Sequence, residues 1–480
     1  MPARSFALGA TGLARVSFLL GVLCAAEARA GTLEVGPGKT YAAPCSAFAM
    51  AIDGDTIEID AAGNYDGDVC AIARSGLTIV GVNGRAHIDA AGQNAQGKAI
   101  WVVQGKDTTI QNIELSGATV PDQNGAGIRQ EGTNLTVLNC YFHDNEDGIL
   151  AGADASSTIR IDSSEFARNG FGDGFSHNMY IGAVGMFILE YSYSHSAKVG
   201  HLVKSRALEN HILYNRLTGE ADGTESYEIN LPDAGTSYII GNLIQQGPGT
   251  ENSVMLDYAS ESTANPGQAL YVASNTFVNE RGGDALFVSV GAGITTAAIV
   301  KNNLFMGPGN AINQASAVQA GNLSTNDALL VDVANFDYHL LPGSPCVDAG
   351  VDPGTSADAV SLVPVKQYVH PLAFETRTSA GVIDIGAYEL GGGTLAGGSS
   401  GATGAAGAGA AGQGLAGAGG TGAAGGTAGA SALAKSSTSG GCGCSLPKRH
   451  GSGRALALCV GLGLWLARRR RMFDRPFGVA

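Results

Sequence analysis

Asn275-Thr276-Phe277 and, 28 residues later, Asn303-Leu304-Phe305 are two copies of one pattern. A polar or aromatic residue is followed by a variable one and then by a bulky apolar or aromatic one. Working back toward the N-terminus, the pattern recurs as Asn242-x-Ile244, Asn215-x-Leu217, Tyr191-x-Tyr193, Ser164-x-Phe166 and Asn139-x-Tyr141, at intervals of 24 to 33 residues. Short β-branched and aromatic runs, such as 56–60, 77–81, 100–104, 135–142 and 158–162, alternate with clusters of Gly, Asn, Asp and Ser. Such runs read as strands bounded by turns. A repeat of this length is one structural unit that buries its apolar side by stacking on its neighbours. The expectation is an all-β, single-stranded parallel β-helix in which equivalent residues form columns, apolar inside and Asn at the corners. A propeller blade would be longer, and an immunoglobulin-like array would not repeat this tightly. Residues 45–52, with Phe48, Met50 and Ile52, predict a short helix that caps the open N-terminal end.

The pattern occupies residues 31–390 of the 480-residue chain. Before it, Arg4 and Arg15, an apolar run at 16–26 and Ala28-Arg29-Ala30 read as a signal peptide over residues 1–30. After it, 391–441 are almost all Gly, Ala, Ser and Thr, the composition of a flexible linker. The chain carries 28 Lys and Arg against 42 Asp and Glu, a net charge of −14. Residues 31–390 hold 16 of the basic and 40 of the acidic residues, so the body is strongly acidic. That argues against nucleic acid as a partner, because phosphate contacts require Lys and Arg. Export permits disulfides. Cys45 and Cys70, which flank the first strand of the body, are the expected pair. No paired C-x-x-C motif suggests zinc.

The chain also resembles the right-handed β-helix families of secreted bacterial proteins. Val35-Gly36-Pro37-Gly38, Gly54-Asp55-Thr56-Ile57 and Gly63-Asn64-Tyr65 look like their entry segment. Asp337-Tyr338-His339-Leu340 with Gly343-Ser344-Pro345-Cys346 looks like their exit segment, and Asp384-Ile385-Gly386-Ala387-Tyr388-Glu389 like their closing strand. The resemblance implies a right-handed helix. It is weak for chemistry, since this architecture hosts many functions.

Three segments can be overlaid at a constant offset of 24: 177–182, 201–206 and 225–230. Side chains alternate along a strand. Met179, Val203 and Ile229 then face the core, and Tyr180, Lys204, Arg206, Glu228 and Asn230 face outward. The overlay predicts a Tyr180–Lys204–Glu228 column beside an Arg206–Asn230 column, with Asp257 on the same face one coil on. This type of column resembles the Lys/Arg arrangement of β-helical polysaccharide lyases. The resemblance implies β-elimination at uronates, with Lys204 or Tyr180 exchanging the proton and Arg206 holding the carboxylate. Glu228 would orient Lys204, or share a calcium ion with Asp257. His177, His201, Glu228, Asn230 and Arg129 are expected substrate contacts. No cofactor is required by this reading, and calcium is the one metal it allows. His195 is placed on a turn. Asp144–Asp147 and 220–225 read as solvated acidic turns. A glycoside hydrolase is less well supported, because no adjacent Asp pair accompanies a Gly-His-Gly turn.

At the far end, Cys442 and Cys444 precede an apolar run at 455–467 and Arg468-Arg469-Arg470-Arg471. The order resembles the tripartite C-terminal sorting signal of myxobacterial surface proteins. It implies a protein sent to the cell surface or outer membrane and processed near the cysteines, with a single-span anchor as the alternative; a monomer is expected. The combined expectation is a surface-displayed protein acting on acidic polysaccharide. A non-catalytic carbohydrate-binding or adhesin-like module and a glycoside hydrolase are the alternatives.

Overall fold

The computed structural model describes residues 29–391 apart from 336 and 380. Residues 1–28 of the expected signal peptide at 1–30, the linker from 392 and the tail with Cys442 and Cys444 lie outside the described residues. Among the described residues no helix is long and apolar enough to cross a membrane.

The chain winds into a right-handed parallel β-helix. Three parallel sheets run its length, of twelve, ten and ten strands. Sheet 1 begins with Thr32–Val35, sheet 2 with Cys70–Ile72 and sheet 3 with Ala86–Asp89. Each full coil passes through sheet 1, then sheet 3, then sheet 2. Strands of three to nine residues alternate in and out, so Ile, Val, Leu, Met and Phe fill one continuous core. Equivalent side chains stack. Phe142 lies on Phe166 with ring centroids 4.8 Å apart, and Phe277 on Phe305 at 5.3 Å.

The corner between sheets 1 and 3 carries a buried polar ladder. The side chains of Ser164, Ser192, Asn215, Asn242, Asn275, Asn303 and Asn322 each accept the backbone N–H of the equivalent residue one coil earlier. The corner Asn columns are therefore real, with two corrections of register. Cys140 and Ser192 occupy the ladder, not Asn139 and Tyr191. Phe142 pairs with Phe166 and Ser194 with Leu217, so Tyr141 and Tyr193 point outward. A one-residue slip reverses every side chain, and a small polar residue fits the corner where Tyr191 does not.

The N-terminal cap is the helix Pro44–Met50. Proline opens it, where a missing N–H costs nothing. Phe48 meets Trp101 edge-on at 5.4 Å, while Met50 faces solvent. Cys45 and Cys70 form a disulfide across a separation of 25 residues. Closing a loop of that size stabilises the fold by about 3 kcal/mol. Cys45→Ser with Cys70→Ser is expected to lower the denaturant midpoint and to steepen the slope, because the unfolded chain without the cross-link exposes more surface.

At the other end, the described part of 326–391 folds back over the outside of sheets 1 and 3, with Leu362 packed on Tyr238 and Tyr271 of sheet 1. Leu330–Asp332 pairs with Asp337–Leu340, and Lys366–Val369 with Ala373–Thr376, both antiparallel. Where this segment lies, sheet 3 turns apolar outward: Leu243, Val278 and Met306 pack against Tyr338, Ala387 and Tyr388. The expected closing strand at 384–389 is irregular instead. Its backbone is fixed by Ala387 N–H on Thr276 Oγ1 and by Gly386 N–H on Asn302 O.

Candidate functional site

The outer face of sheet 2 carries one continuous column. Strand register aligns Val102, Arg129, Leu150, Tyr180, Lys204, Asn230, Asp257 and Ser289 on successive coils. Successive coils are about 4.8 Å apart. The pairing of Tyr180 with Lys204 is as the offset of 24 predicts. The next is not. Lys204 pairs with Asn230, because the turn between the two coils is two residues longer. Arg129 shares the column but lies three coils from Lys204.

Lys204 sits deep in this face, with its side chain 12% exposed. Its ammonium lies 5.0 Å from the Tyr180 ring centroid and 3.9 Å from Glu261 Oε1. Burial pushes the ammonium below its ordinary pKa. Glu261 opposes that, and Arg206 adds to it. Arg206 donates from Nε to the Tyr180 hydroxyl at 2.9 Å, from Nη1 to Asp233 at 2.8 Å and from Nη2 to Glu261 at 2.6 Å. Both ends of its fork are taken by carboxylates of this chain. The expected role of Arg206 as the clamp on a substrate carboxylate is therefore corrected. It holds the Tyr180 phenol in place and contributes positive charge beside Lys204.

His177 and His201 stack with centroids 4.4 Å apart just before these strands. Gly200 permits the close approach, since a Cβ there would lie 2.0 Å from Ser176 O. The His201 N–H donates to His177 Nδ1 at 2.9 Å, which puts the His177 proton on Nε2. Burial drives both imidazoles well below their ordinary pKa, so both are neutral. His177 stands edge-on to Tyr180 at 5.6 Å. In the coil before, the buried Asp147 carboxylate accepts the His177 N–H, and desolvation raises its pKa strongly.

Glu228 is the plainest correction on this face. It is fully buried, with neither carboxylate oxygen hydrogen-bonded among the described residues. Its strand is only Ile229–Leu231, so position 228 belongs to the turn and points inward. Desolvation raises its pKa well above the ordinary carboxylate range, and the neutral acid orients nothing on the outer face. Asp257 accepts from Asn230 Nδ2 at 2.8 Å and from the Ser260 hydroxyl. Among the described residues no pair of further carboxylates or imidazoles converges on it at metal-ligand spacing. These residues do not fit a calcium cage.

Two loops border the face. One, 168–178, presents Phe171 and Phe175, 48% and 59% exposed. The other, 259–269, delivers Glu261. Sequence reasoning missed Glu261, Asp233 and both phenylalanines. The interval of 33 between Asn242 and Asn275 marked the coil that carries the longer loop. The acidic turns are only partly solvated: Asp144 and Asp222 are exposed. Asn145, Glu146 and Asp147 are buried, and Glu220 pairs with Arg216 at 2.9 Å. His195 lies in the strand Tyr193–His195, 3.3 Å from Glu165.

Residues 72–182 match the family model described as the right-handed beta helix region. Among solved structures, the crystal structure of pectate lyase Pel9A superposes with a TM-score of 0.51 at 12% identity, covering 76% of this chain and 97% of that one. A Geobacillus virus E2 protein, ORF18, superposes with a TM-score of 0.37 at 13% identity, over 58% of this chain and 56% of that one. No curated protein matches. At these identities the likeness is one of fold.

Proposed function

We propose that this protein acts on an acidic polysaccharide and cleaves it by β-elimination at a uronate, with Lys204 as the base. The observation that carries the reading is Lys204 itself. It is a deeply set amine on an outer face, its charge disfavoured by burial, with no hydrogen bond to its nitrogen among the described residues. A lysine in that state can be neutral at a pH where an exposed lysine is not. The neutral amine takes the C5 proton of the uronate. The C5–H electrons form the C4=C5 double bond, the C4–O4 bond breaks, and the departing oxygen takes a proton from the Tyr180 hydroxyl. That hydroxyl accepts from Arg206, so its own hydrogen is free to be donated. Lys204 then gives the C5 proton to solvent and Tyr180 takes one back from it, so both groups return to their starting state. The pectate lyase likeness supports the same reading at the level of fold.

The intact chain should be incubated with pectate, alginate and glycosaminoglycans while ultraviolet absorbance and reducing ends are followed. Both rise together for a lyase on its substrate. Reducing ends without absorbance indicate hydrolysis. Retention of a polymer that stays uncut indicates a binding module, the reading that the exposed Phe171 and Phe175 favour, since aromatic faces bind sugar rings without chemistry.

The rate should climb as pH rises through the Lys204 pKa, because only the neutral amine is a base. Glu261 holds that pKa up. Glu261→Gln is therefore expected to move the acid limb of kcat/KM to lower pH. A limb that stays in place, or moves up, contradicts the assignment of Lys204 as the titrating base.

A further inference from the structure

On the outside of sheet 3, away from this face, His87, Glu114 and His143 come from three successive coils. One ligand atom from each lies within 4.8 Å of the other two. The geometry points to a binding site for a divalent transition-metal ion of the zinc type, with His87 Nε2, Glu114 Oε1 and His143 Nε2 as ligands.

Three observations carry it. The first is spacing. Ligands at about 2.0–2.1 Å around a tetrahedral ion stand about 3.4 Å from one another. Glu114 Oε1 is 3.0 Å from His143 Nε2 and 3.8 Å from His87 Nε2, on either side of that value. The second is orientation from behind. His143 Nδ1 faces Asp144 Oδ2 at 2.9 Å, and Asp144 is in turn held by Arg168 at 2.8 Å and Lys198 at 3.5 Å. A carboxylate on the far nitrogen of a ligating imidazole fixes its ring and directs the other nitrogen to the ion. The ring is further pinned by Tyr141, stacked at 4.3 Å. The third is access. The segment that folds back over sheet 3 reaches Tyr193 through His370 but leaves these earlier coils open. His87 is 43% exposed, and its Nε2, now 2.8 Å from the Ser116 hydroxyl, would exchange that contact for the ion.

A comparison within the same sheet shows what is special here. Tyr193-Ser194-His195 repeats Tyr141-Phe142-His143, with His195 on Glu165 as His143 is on Glu114. That second strand has Ser196 at 3.2 Å behind the ring in place of Asp144, and no third ligand among the described residues. Imidazole nitrogens favour zinc, copper or nickel over calcium. The three ligands leave one tetrahedral position for water. Because they belong to three coils, a bound ion ties those coils together.

The test uses the intact chain, since tail cysteines can also bind zinc and must be held constant. Zinc retained after dialysis is measured for the wild type, His87→Ala, His143→Ala and His195→Ala. The first two variants should each hold one equivalent fewer than the wild type, and His195→Ala the same number. Copper bound to the wild type should show hyperfine coupling to two imidazole nitrogens, reduced to one in His87→Ala. Glu114→Gln serves if His143→Ala does not fold, and should weaken zinc binding at least tenfold. Equal zinc content in the wild type and His87→Ala, or no nitrogen coupling that depends on His87, overturns the site.

Discussion

Lys204→Ala is expected to lower kcat/KM on the cleaved polymer by about a thousandfold, within the range that a positioned general base contributes. The fold should be unaffected. Lys204 lies on the outer face, its nitrogen makes no hydrogen bond among the described residues, and its nearest ion pair is 3.9 Å long. Its removal relieves a buried charge, so the thermal midpoint should hold or rise. The combination of lost activity and kept stability is what separates a base from a strut. Arg206→Ala should behave differently. It frees Asp233, Glu261 and the Tyr180 hydroxyl together, so activity and stability should both fall. If Lys204→Ala keeps its rate, the chemistry lies elsewhere.

The largest effect on stability is expected from the corner ladder. Asn242 is fully buried. Its Oδ1 accepts from the backbone and side-chain amides of Asn215, and its Nδ2 donates to Ile212 O and Asn275 Oδ1. Asn242→Ala leaves several of these groups unpaired away from water, each at about 1–3 kcal/mol. The expected loss is about 4 kcal/mol, read as a shift of the denaturation midpoint. Ser192→Ala removes the acceptor for the Ser164 N–H and the hydroxyl donated to Glu190 O, and should cost less, about 1–2 kcal/mol. Equal losses at the two positions would mean that the ladder is not cooperative in the way its bonding implies.

The β-helix was legible because its core and corner are written every coil. Asn215, Asn242, Asn275 and Asn303 alone fix the coil length. Legibility failed where one residue separates two chemically similar alignments. Asn139 looks like a ladder residue, but Cys140 fills the place. The Tyr180–Lys204 pairing was readable because no residues are inserted between those coils. The turn before Asn230 adds two, which preserves the facing of the strand and changes the partner. Glu228 was misread because parity fails once a strand shrinks to three residues and the turn begins. Glu261 and Asp233 reach Arg206 from loops 55 and 27 residues away, and no periodicity marks such contacts. The same holds for His87, Glu114 and His143, each unremarkable in its own strand.

An elimination on the outer face of sheet 2 leaves its mark on the product. The product distinguishes it most directly. Mass spectrometry of oligosaccharides released by the intact chain should show each new non-reducing end lighter by one water than a saturated one, with a C4=C5 double bond. Ends that carry the added water, or a polymer left whole across the uronate panel, would contradict it.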